Sequence, residues 1–213
     1  MRTLFFFTLI TTITFSQKKS YPFYKWTEQE VTEAKKEKLT TLMDSTERGL
    51  LFYTNLVRIN PRLFCATYLQ KYIDVNNLDR KNYYVSSLIK ELNKLKPIKA
   101  LDFDKSLYDM AKVHAISMGV KGKIGHDEFD KRIKKFLNNK FAMIGENCEY
   151  GSSDPLEILM CLLIDEGVAS LGHRKNLLNP EFNYVGISFK PHKTYGVNCV
   201  MDFGQHFFLM AEN

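Results

Sequence analysis

The chain reads Gly172-His173-Arg174-Lys175-Asn176-Leu177-Leu178-Asn179-Pro180 shortly before its C-terminal strands, and this stretch says most about its fold. This stretch contains a histidine, an arginine and two asparagines, which are side chains that often bind ligands. Apolar and polar residues then alternate over residues 184–189, as they do in a half-buried strand. Two spots upstream also pair glycine with polar residues, and they read Gly125-His126 and Gly145-Glu146-Asn147. We expect these spots to lie between regular elements, in loops or, for residues 145–150, alternatively in a short strand. We expect them to assemble one polar site from distant parts of the chain.

The helix and strand signals around this stretch predict an α+β fold. Asp44 and Glu47 have the spacing of a capping box, and Asp104 and Asp154 are N-cap candidates for two later helices. Gly167 is expected to end the helix that begins after Asp154. Two strand-like runs, 184–190 and 195–203, are joined by residues 191–194 and predict a hairpin. Helices followed by an antiparallel hairpin indicate helices packed on a small antiparallel sheet.

The 213-residue chain is long enough for one domain and an extension. A basic start, an apolar run from Leu4 to Phe15 and a polar continuation predict a signal peptide over residues 1–16, and therefore a secreted protein. We expect an N-terminal extension over 17–43, the main domain over 44–206 and a short tail over 207–213. No other segment is long and apolar enough to predict a transmembrane span.

Charge and cysteine content narrow the range of partners. The net charge is +6, but basic and acidic residues are interleaved, so no nucleic-acid groove is predicted. An exported chain with four cysteines permits two disulfides in three connectivities, and the sequence does not choose among them. Cys161 lies among apolar residues and is predicted to be a small core residue. The other three cysteines are Cys65, Cys148 and Cys199.

The candidate site residues are His126, Glu146, Asp165 and His173. Two imidazoles and one or two carboxylates form a suitable ligand set for a divalent ion, above all Zn²⁺. The alternative is that Glu146 and His173 only tie down backbone amides in loops. His114 lies on an apolar helical stripe and is expected to be a buried histidine beside the ligands. The remaining histidines, predicted to be solvent-exposed in a turn and a tail, are His192 and His206.

These motifs, in this order, resemble the CAP superfamily, the secreted domain of cysteine-rich secretory proteins, antigen-5 allergens and plant pathogenesis-related proteins. The resemblance covers roughly residues 44–204 and has the form of bacterial members. It is carried by Asn55-Leu56-Val57-Arg58, Leu101-Asp102, the Leu107–Ala115 helix, Gly125-His126, Ile144-Gly145-Glu146-Asn147, Asp165-Glu166-Gly167, Gly172–Leu178 and Val185-Gly186-Ile187.

The resemblance implies a three-layer α–β–α sandwich with a His-Glu-Glu-His cleft. His126, Glu146 and His173 match three members, and Asp165 is the best match for the fourth, with Glu166 as the alternative. His126, His173 and Glu146 are then the expected metal ligands. The residues expected to surround and orient them are His114, Asn147 and Arg174. Relatives from eukaryotes continue differently after the second histidine, so their partner grooves do not transfer to this chain.

Three functions follow as hypotheses. The first is a secreted, non-catalytic binding module for an extracellular lipid, glycan or protein, since no serine or cysteine nucleophile stands in a recognisable context. The second is a metal-dependent hydrolase of peptides or cell-wall polymers, with Glu146 or Asp165 as general base. The third is a lipid or sterol carrier. Core burial is expected to account for every apolar helix stripe, which leaves no apolar patch for such a ligand.

Overall fold

In the part of the chain that the structure describes, six helical segments precede the first strand. The computed structural model describes residues 25–36 and 41–207, so the predicted signal peptide and residues 208–213 lie outside it. Helices α1 and α2 span Glu28–Lys35 and Ser45–Ile59, and α5 spans Tyr83–Lys94. Between α2 and α5, one continuous helical run consists of α3 (Pro61–Phe64), a π-helical turn (Cys65–Leu69) and α4 (Gln70–Val75).

The second half of the chain alternates helices with strands. Strand β1 (Asp102–Phe103) precedes α6 (Lys105–Lys121) and α7 (Phe129–Phe136). Strand β2 (Phe141–Tyr150) leads to α8 (Pro155–Ile164) and α9 (Gly172–Leu178). The described chain ends with β3 (Tyr184–His192) and β4 (Gly196–His206).

The predicted helix starts are confirmed. Asp44 and Glu47 form a reciprocal capping box at α2, where each side chain accepts from the other residue's backbone N–H at 2.9 Å. Asp104 caps α6 by accepting from Ser106 and Leu107, and Asp154 caps α8 in the same way. These contacts satisfy backbone donors that the first helical turn would otherwise leave without a partner.

The described strands form one four-stranded sheet in the order β1-β3-β4-β2. The predicted β3–β4 hairpin is confirmed as an antiparallel pair, and β2 also pairs antiparallel with β4. The expected small sheet is antiparallel except at the two-residue strand β1, which pairs parallel with β3. In this strand order β2 lies at one edge of the sheet, so its outer side is not covered by a neighbouring described strand.

Helices pack against both faces of the sheet. Successive side chains of each strand point to opposite faces, so each face contributes to a different part of the core. Cys148 and Val200 pack against Ala111 and Ala115 of α6 on one face. The opposite face, which includes Met201, joins the large core built with α2 and α8. The expected three-layer α–β–α sandwich is confirmed.

Several local expectations were wrong. Gly172–Leu178 is a short helix and not the expected loop. Of the strand and the loop considered for residues 145–150, the strand is correct, and Glu146 lies in the middle of β2. Helix α8 ends at Ile164, before Gly167, because Asp165 adopts a left-handed conformation at φ 57°.

The predictions of burial or exposure were also wrong for three side chains. Cys161 is exposed, and all four cysteines are free thiols. His192 is buried and donates from Nε2 to the carbonyl oxygen of Lys123 at 2.8 Å. His206 is the last residue of β4, and its partly buried ring stacks on Tyr184 with 4.0 Å between centroids.

The described part of the predicted N-terminal extension packs against the main domain. Trp26, Ala34 and Met43 are buried in the large core. Asn55 of α2 donates to the carbonyl oxygen of Ala34 at 3.2 Å, which holds the end of α1. Within residues 25–36 and 41–207, no helix has both the length and the apolar character that a membrane crossing requires.

Candidate functional site

Glu146 anchors the first half of the candidate site. Its side chain is buried on the α6 face of β2, where Oε1 accepts from His126 Nδ1 at 2.7 Å. Arg132 of α7 donates from Nη1 to Oε2 at 2.5 Å and from Nη2 to Oε1 at 3.0 Å. His126 follows Gly125, whose φ of 104° turns the chain after α6, and its side chain is 50% exposed. The carboxylate therefore fixes an imidazole whose other nitrogen, Nε2, faces away from it.

Charge partners keep Glu146 ionised in spite of its burial. Burial alone would raise the pKa of Glu146, but the hydrogen bonds from His126 and Arg132 outweigh it and lower the pKa to about 2. His114 lies beneath the pair, with Nε2 2.8 Å from the carbonyl oxygen of Gly125 and 3.8 Å from Glu146 Oε1. Burial lowers the pKa of His114, which favours its neutral form.

Asp165 and His173 form the second half of the site. The left-handed turn at the end of α8 directs the buried Asp165 carboxylate at the start of α9. Oδ2 accepts from the backbone N–H of His173 at 3.0 Å, and Oδ1 accepts from His173 Nδ1 at 2.7 Å. The His173 side chain is 25% exposed. Of the two acids considered from sequence, Asp165 makes this contact, and Glu166 instead accepts from Asn82 at 2.8 Å.

Asparagines connect the two pairs through β2. Asn147 points to the face opposite Glu146 and donates to the carbonyl oxygen of His173 at 3.0 Å. Asn176 of α9 donates to Asn147 Oδ1 at 2.8 Å and to the Glu146 carbonyl oxygen at 3.3 Å. The His126–Glu146 pair thus lies on the α6 side of the edge strand, and the His173–Asp165 pair lies on its α9 side.

Arg174 supports the site without facing it. Its guanidinium is buried and donates to the carbonyl oxygens of Leu163, Ile164 and Tyr84 at 2.6–2.9 Å. It therefore ties α9 to α8 and α5 at the position next to His173. The buried Arg58 of α2 has a similar role toward the chain after α9, where it donates to the carbonyl oxygens of Leu177, Asn179 and Phe182.

Cys148 and Asp202 belong to the same polar cluster, although sequence reasoning gave neither a role there. Among the described residues, three buried side chains, His114, Glu146 and Cys148, offer potential metal ligand atoms within 4.8 Å of one another. Cys148 Sγ lies 3.8 Å from His126 Nδ1. Burial, aided by the negative charge of Glu146, raises the pKa of Cys148 well above its ordinary value, so its thiol stays protonated. His173 and Asp165 are not part of this group of three.

Asp202 is fully buried opposite Glu146 in the β2–β4 register, and neither of its oxygens accepts a hydrogen bond from a described donor. Burial, followed by the charge of Glu146, raises the pKa of Asp202 well above its ordinary value. A period-two pattern from Glu146 would have placed Cys148 on the same face of β2. Asp202 and Arg132 carry no comparable local signal, because their proximity depends on strand register and on the packing of α7.

A sequence model of CAP, described as the cysteine-rich secretory protein family, matches residues 53–203, well over half of the chain. The protein therefore belongs to the CAP family. This assignment agrees with the sandwich and with the order of the site residues along the chain.

Individual relatives are more distant. An uncharacterized protein of Bacillus subtilis (strain 168), YkwD, is 25% identical over 130 residues, which cover 58% of this chain and 43% of the relative. An extracellular protein of Bacillus anthracis containing an SCP domain is 24% identical, with a TM-score of 0.43, over 57% of this chain and 38% of that one. An outer surface protein of Borrelia burgdorferi is also 24% identical, with a TM-score of 0.44, over 61% and 96% of the respective chains. The chain thus spans less than half the length of the curated relative.

Proposed function

We propose that this CAP domain is a secreted, non-catalytic binding module whose His126 and His173 hold a divalent cation. Glu146 and Asp165 orient the two imidazoles in this proposal. The ion would contribute to the binding of an extracellular lipid, glycan or protein. The proposal is carried by one observation, that each of these partly exposed imidazoles has its Nδ1 bonded at 2.7 Å to a buried carboxylate.

That arrangement suits a metal-binding histidine. When a carboxylate accepts from Nδ1–H, the tautomer is fixed and the Nε2 lone pair is left to bind a metal. Both oxygens of Glu146 are already engaged by His126 and Arg132, which favours an orienting role for Glu146 over direct coordination. Imidazole nitrogens supported by carboxylates are typical of Zn²⁺ sites, and a bound Zn²⁺ would act as a Lewis acid toward an oxygen-bearing ligand.

The state of the neighbouring acids and thiol supports a binding role over catalysis. A general base works best when its pKa lies near the working pH, and Glu146, with a pKa of about 2, is far below neutral pH. Cys148 is protonated and buried, which makes it a poor nucleophile. These two groups are the reactive candidates closest to His126.

Elemental analysis tests the metal proposal. We expect protein purified without chelators, then exposed to Zn²⁺ and desalted, to retain close to one equivalent. His126→Ala and His173→Ala should each lose it. The matched control is His206→Ala, whose ring stacks on Tyr184 at the end of β4. Zinc retained in both site variants would contradict the proposal.

The hydrolase hypothesis retains one supporting feature, because a carboxylate–imidazole pair such as Asp165–His173 can also serve as a general base. Incubation with peptide and peptidoglycan fragments, with Zn²⁺ or with chelator, separates the two functions. We expect unchanged substrates in every sample. A metal-dependent product that disappears in His173→Ala would establish the enzyme and overturn the non-catalytic role.

Secretion is tested by the N terminus of the protein recovered from culture medium. We expect mass spectrometry to find a chain that begins after residue 16. Recovery of the intact N terminus from the cell fraction alone would contradict the extracellular assignment.

A further inference from the structure

An exposed apolar ridge runs along the outer face of α6. Val113, Ile116 and Val120 follow the i, i+3, i+7 spacing of one helix face, and Ile124 follows shortly after the helix. Their exposure ranges from 43% for Val113 to 74% for Val120. All four side chains are therefore exposed to a large extent. Single exposed apolar residues are usual on a soluble protein, but a contiguous run of them is not. The expectation that core burial accounts for every apolar stripe was therefore wrong for α6.

The segment that carries this ridge and the following helix α7 are rich in lysine. Between residues 112 and 136 there are three exposed acids and six exposed lysines, the latter being Lys112, Lys121, Lys123, Lys131, Lys134 and Lys135. This excess is half of the net charge of +6 of the whole chain. Glu128 pairs with Lys131 at 2.8 Å, which cancels one charge of each sign and leaves five lysines and two acids. The surface thus combines aliphatic side chains with uncompensated positive charge.

A groove between α6 and α7 continues the same surface. It has a volume of about 280 Å³, and Val113 and Phe136 supply apolar lining. Three lysines, Lys121, Lys131 and Lys135, also line it, together with the two acids Asp127 and Glu128. Long lysine side chains can lay their methylene stems on apolar surface while their ammonium groups reach anions above it.

We propose that the α6–α7 face, defined by the apolar ridge and its six lysines, docks onto an anionic lipid surface. Aliphatic side chains of the ridge enter the boundary between headgroups and acyl chains, and the lysines contact the negatively charged headgroups. The proposal goes beyond the cation-binding function, because the ridge lies on the face of α6 that points away from Glu146 and the sheet.

Charge favours this occupant over a second copy of the chain. A two-fold dimer through this face would place like-charged lysine clusters opposite each other, which is unfavourable. The aliphatic character of the ridge also favours a lipid surface over a protein. Protein interfaces usually depend on aromatic and arginine anchors in pockets, and the exposed ridge contains neither.

Vesicle co-sedimentation tests the proposal, with the same purified form of the chain for every variant. We expect binding to vesicles of equimolar phosphatidylglycerol and phosphatidylcholine at low salt, and little binding to phosphatidylcholine alone. The pair Val120→Ser and Ile124→Ser should weaken binding about tenfold through the loss of buried apolar area. Lys121→Glu and Lys135→Glu should each weaken it at least about fivefold.

Matched controls lie on α5, in the outer helical layer. Tyr83→Ser removes a comparably exposed aromatic side chain, and Lys94→Glu reverses an exposed charge, so both should leave vesicle binding unchanged. His126→Ala and His173→Ala should also bind vesicles normally, which separates this test from that of the cation site.

Three outcomes would overturn the proposal. The first is equal binding to neutral and anionic vesicles. The second is binding of soluble poly-glutamate without binding of vesicles, which would assign the face to an acidic protein. The third is a dimer that the ridge variants dissociate, or a ridge variant that loses thermal stability, since either would mean that the ridge is already covered by protein.

Discussion

Glu146 shows how single residues set the character of the site. Its carboxylate is removed from water and would favour the protonated form if burial acted alone. Arg132 and His126 reverse that preference, and His126 is held in one orientation as a result. The Glu146 carboxylate therefore holds α7 through Arg132 and fixes the orientation of the exposed His126 imidazole.

Replacement of Glu146 by Gln should destabilise the fold by about 3 kcal/mol at pH 7, because it leaves the buried Arg132 cation without a charged partner. The pKa of Glu146 falls from an ordinary 4.5 to about 2 on folding, so its stabilisation is present above pH 4.5 and is lost as the pH falls through 2. Urea denaturation at pH 7 and at pH 2.5 measures both effects. An equal difference between wild type and variant at the two pH values would contradict this account.

Asp202 should behave in the opposite way. Burial and the charge of Glu146 raise its pKa above the ordinary 3.8, so its contribution to stability is greatest below pH 3.8 and is lost as the pH rises. Asp202→Asn removes the ionisable group and keeps its size. We expect a higher melting temperature than wild type at pH 7 and little difference at pH 3. A lower melting temperature at pH 7 would show that the ionised carboxylate has a stabilising partner.

At the residue scale, the sequence indicates which groups have useful chemistry but not which groups they meet. His126, Glu146, Asp165 and His173 could be named from residue type and from the family resemblance. The Arg132 contact depends on a basic residue whose neighbours look like a solvated helix face. The prediction that His192 is exposed was wrong for a related reason. Its hydrogen-bond partner is the carbonyl oxygen of Lys123, which is far away in sequence.

At the scale of elements, α6 can lie close to the sheet because Gly186 has no side chain. A Cβ at this position of β3 would lie 2.0 Å from the backbone nitrogen of Tyr108 and 2.2 Å from the backbone carbonyl carbon of Leu107. Backbone cannot rotate away from such a contact as a flexible side chain can, so the helix itself would have to move.

Gly186→Ala should therefore destabilise the protein by about 3 kcal/mol, at the upper end of the usual range for overpacking. Gly172→Ala is the control, because its nearest neighbour would be Ser170 Oγ at 3.4 Å, an ordinary contact. We expect the control to change the free energy of unfolding by less than about 0.5 kcal/mol in chemical denaturation. Equal losses in the two variants would remove the close approach of α6 as the explanation.

Elements with strong local signals could be predicted, and elements held by tertiary contacts could not. The starts of α2, α6 and α8 follow from their capping residues. Helix α9 has only seven residues and begins after Leu171, which caps it with no side-chain hydrogen bond. It is held instead by contacts of Arg174 and Asn176 to other elements, which a local reading of the sequence does not contain.

At the scale of the whole molecule, the sandwich was predictable because element order and family motifs agree. The α6 ridge was not, since α6 carries apolar residues on both its buried and its exposed faces. A helix of this kind reads as fully buried until the position of the sheet is known. The relative position of the two carboxylate–imidazole pairs also depends on the whole molecule, because the pairs belong to different layers and lie on opposite sides of β2.

The central claim is that these two pairs act together on one cation, and the coupling between His126→Ala and His173→Ala tests it most directly. Titration calorimetry with Zn²⁺ should be run on wild type, on both single variants and on the double variant. The account predicts one binding event in wild type, a large loss of affinity in each single variant, and little further loss in the double variant. Independent, additive losses, or two separate binding events in wild type, would contradict it.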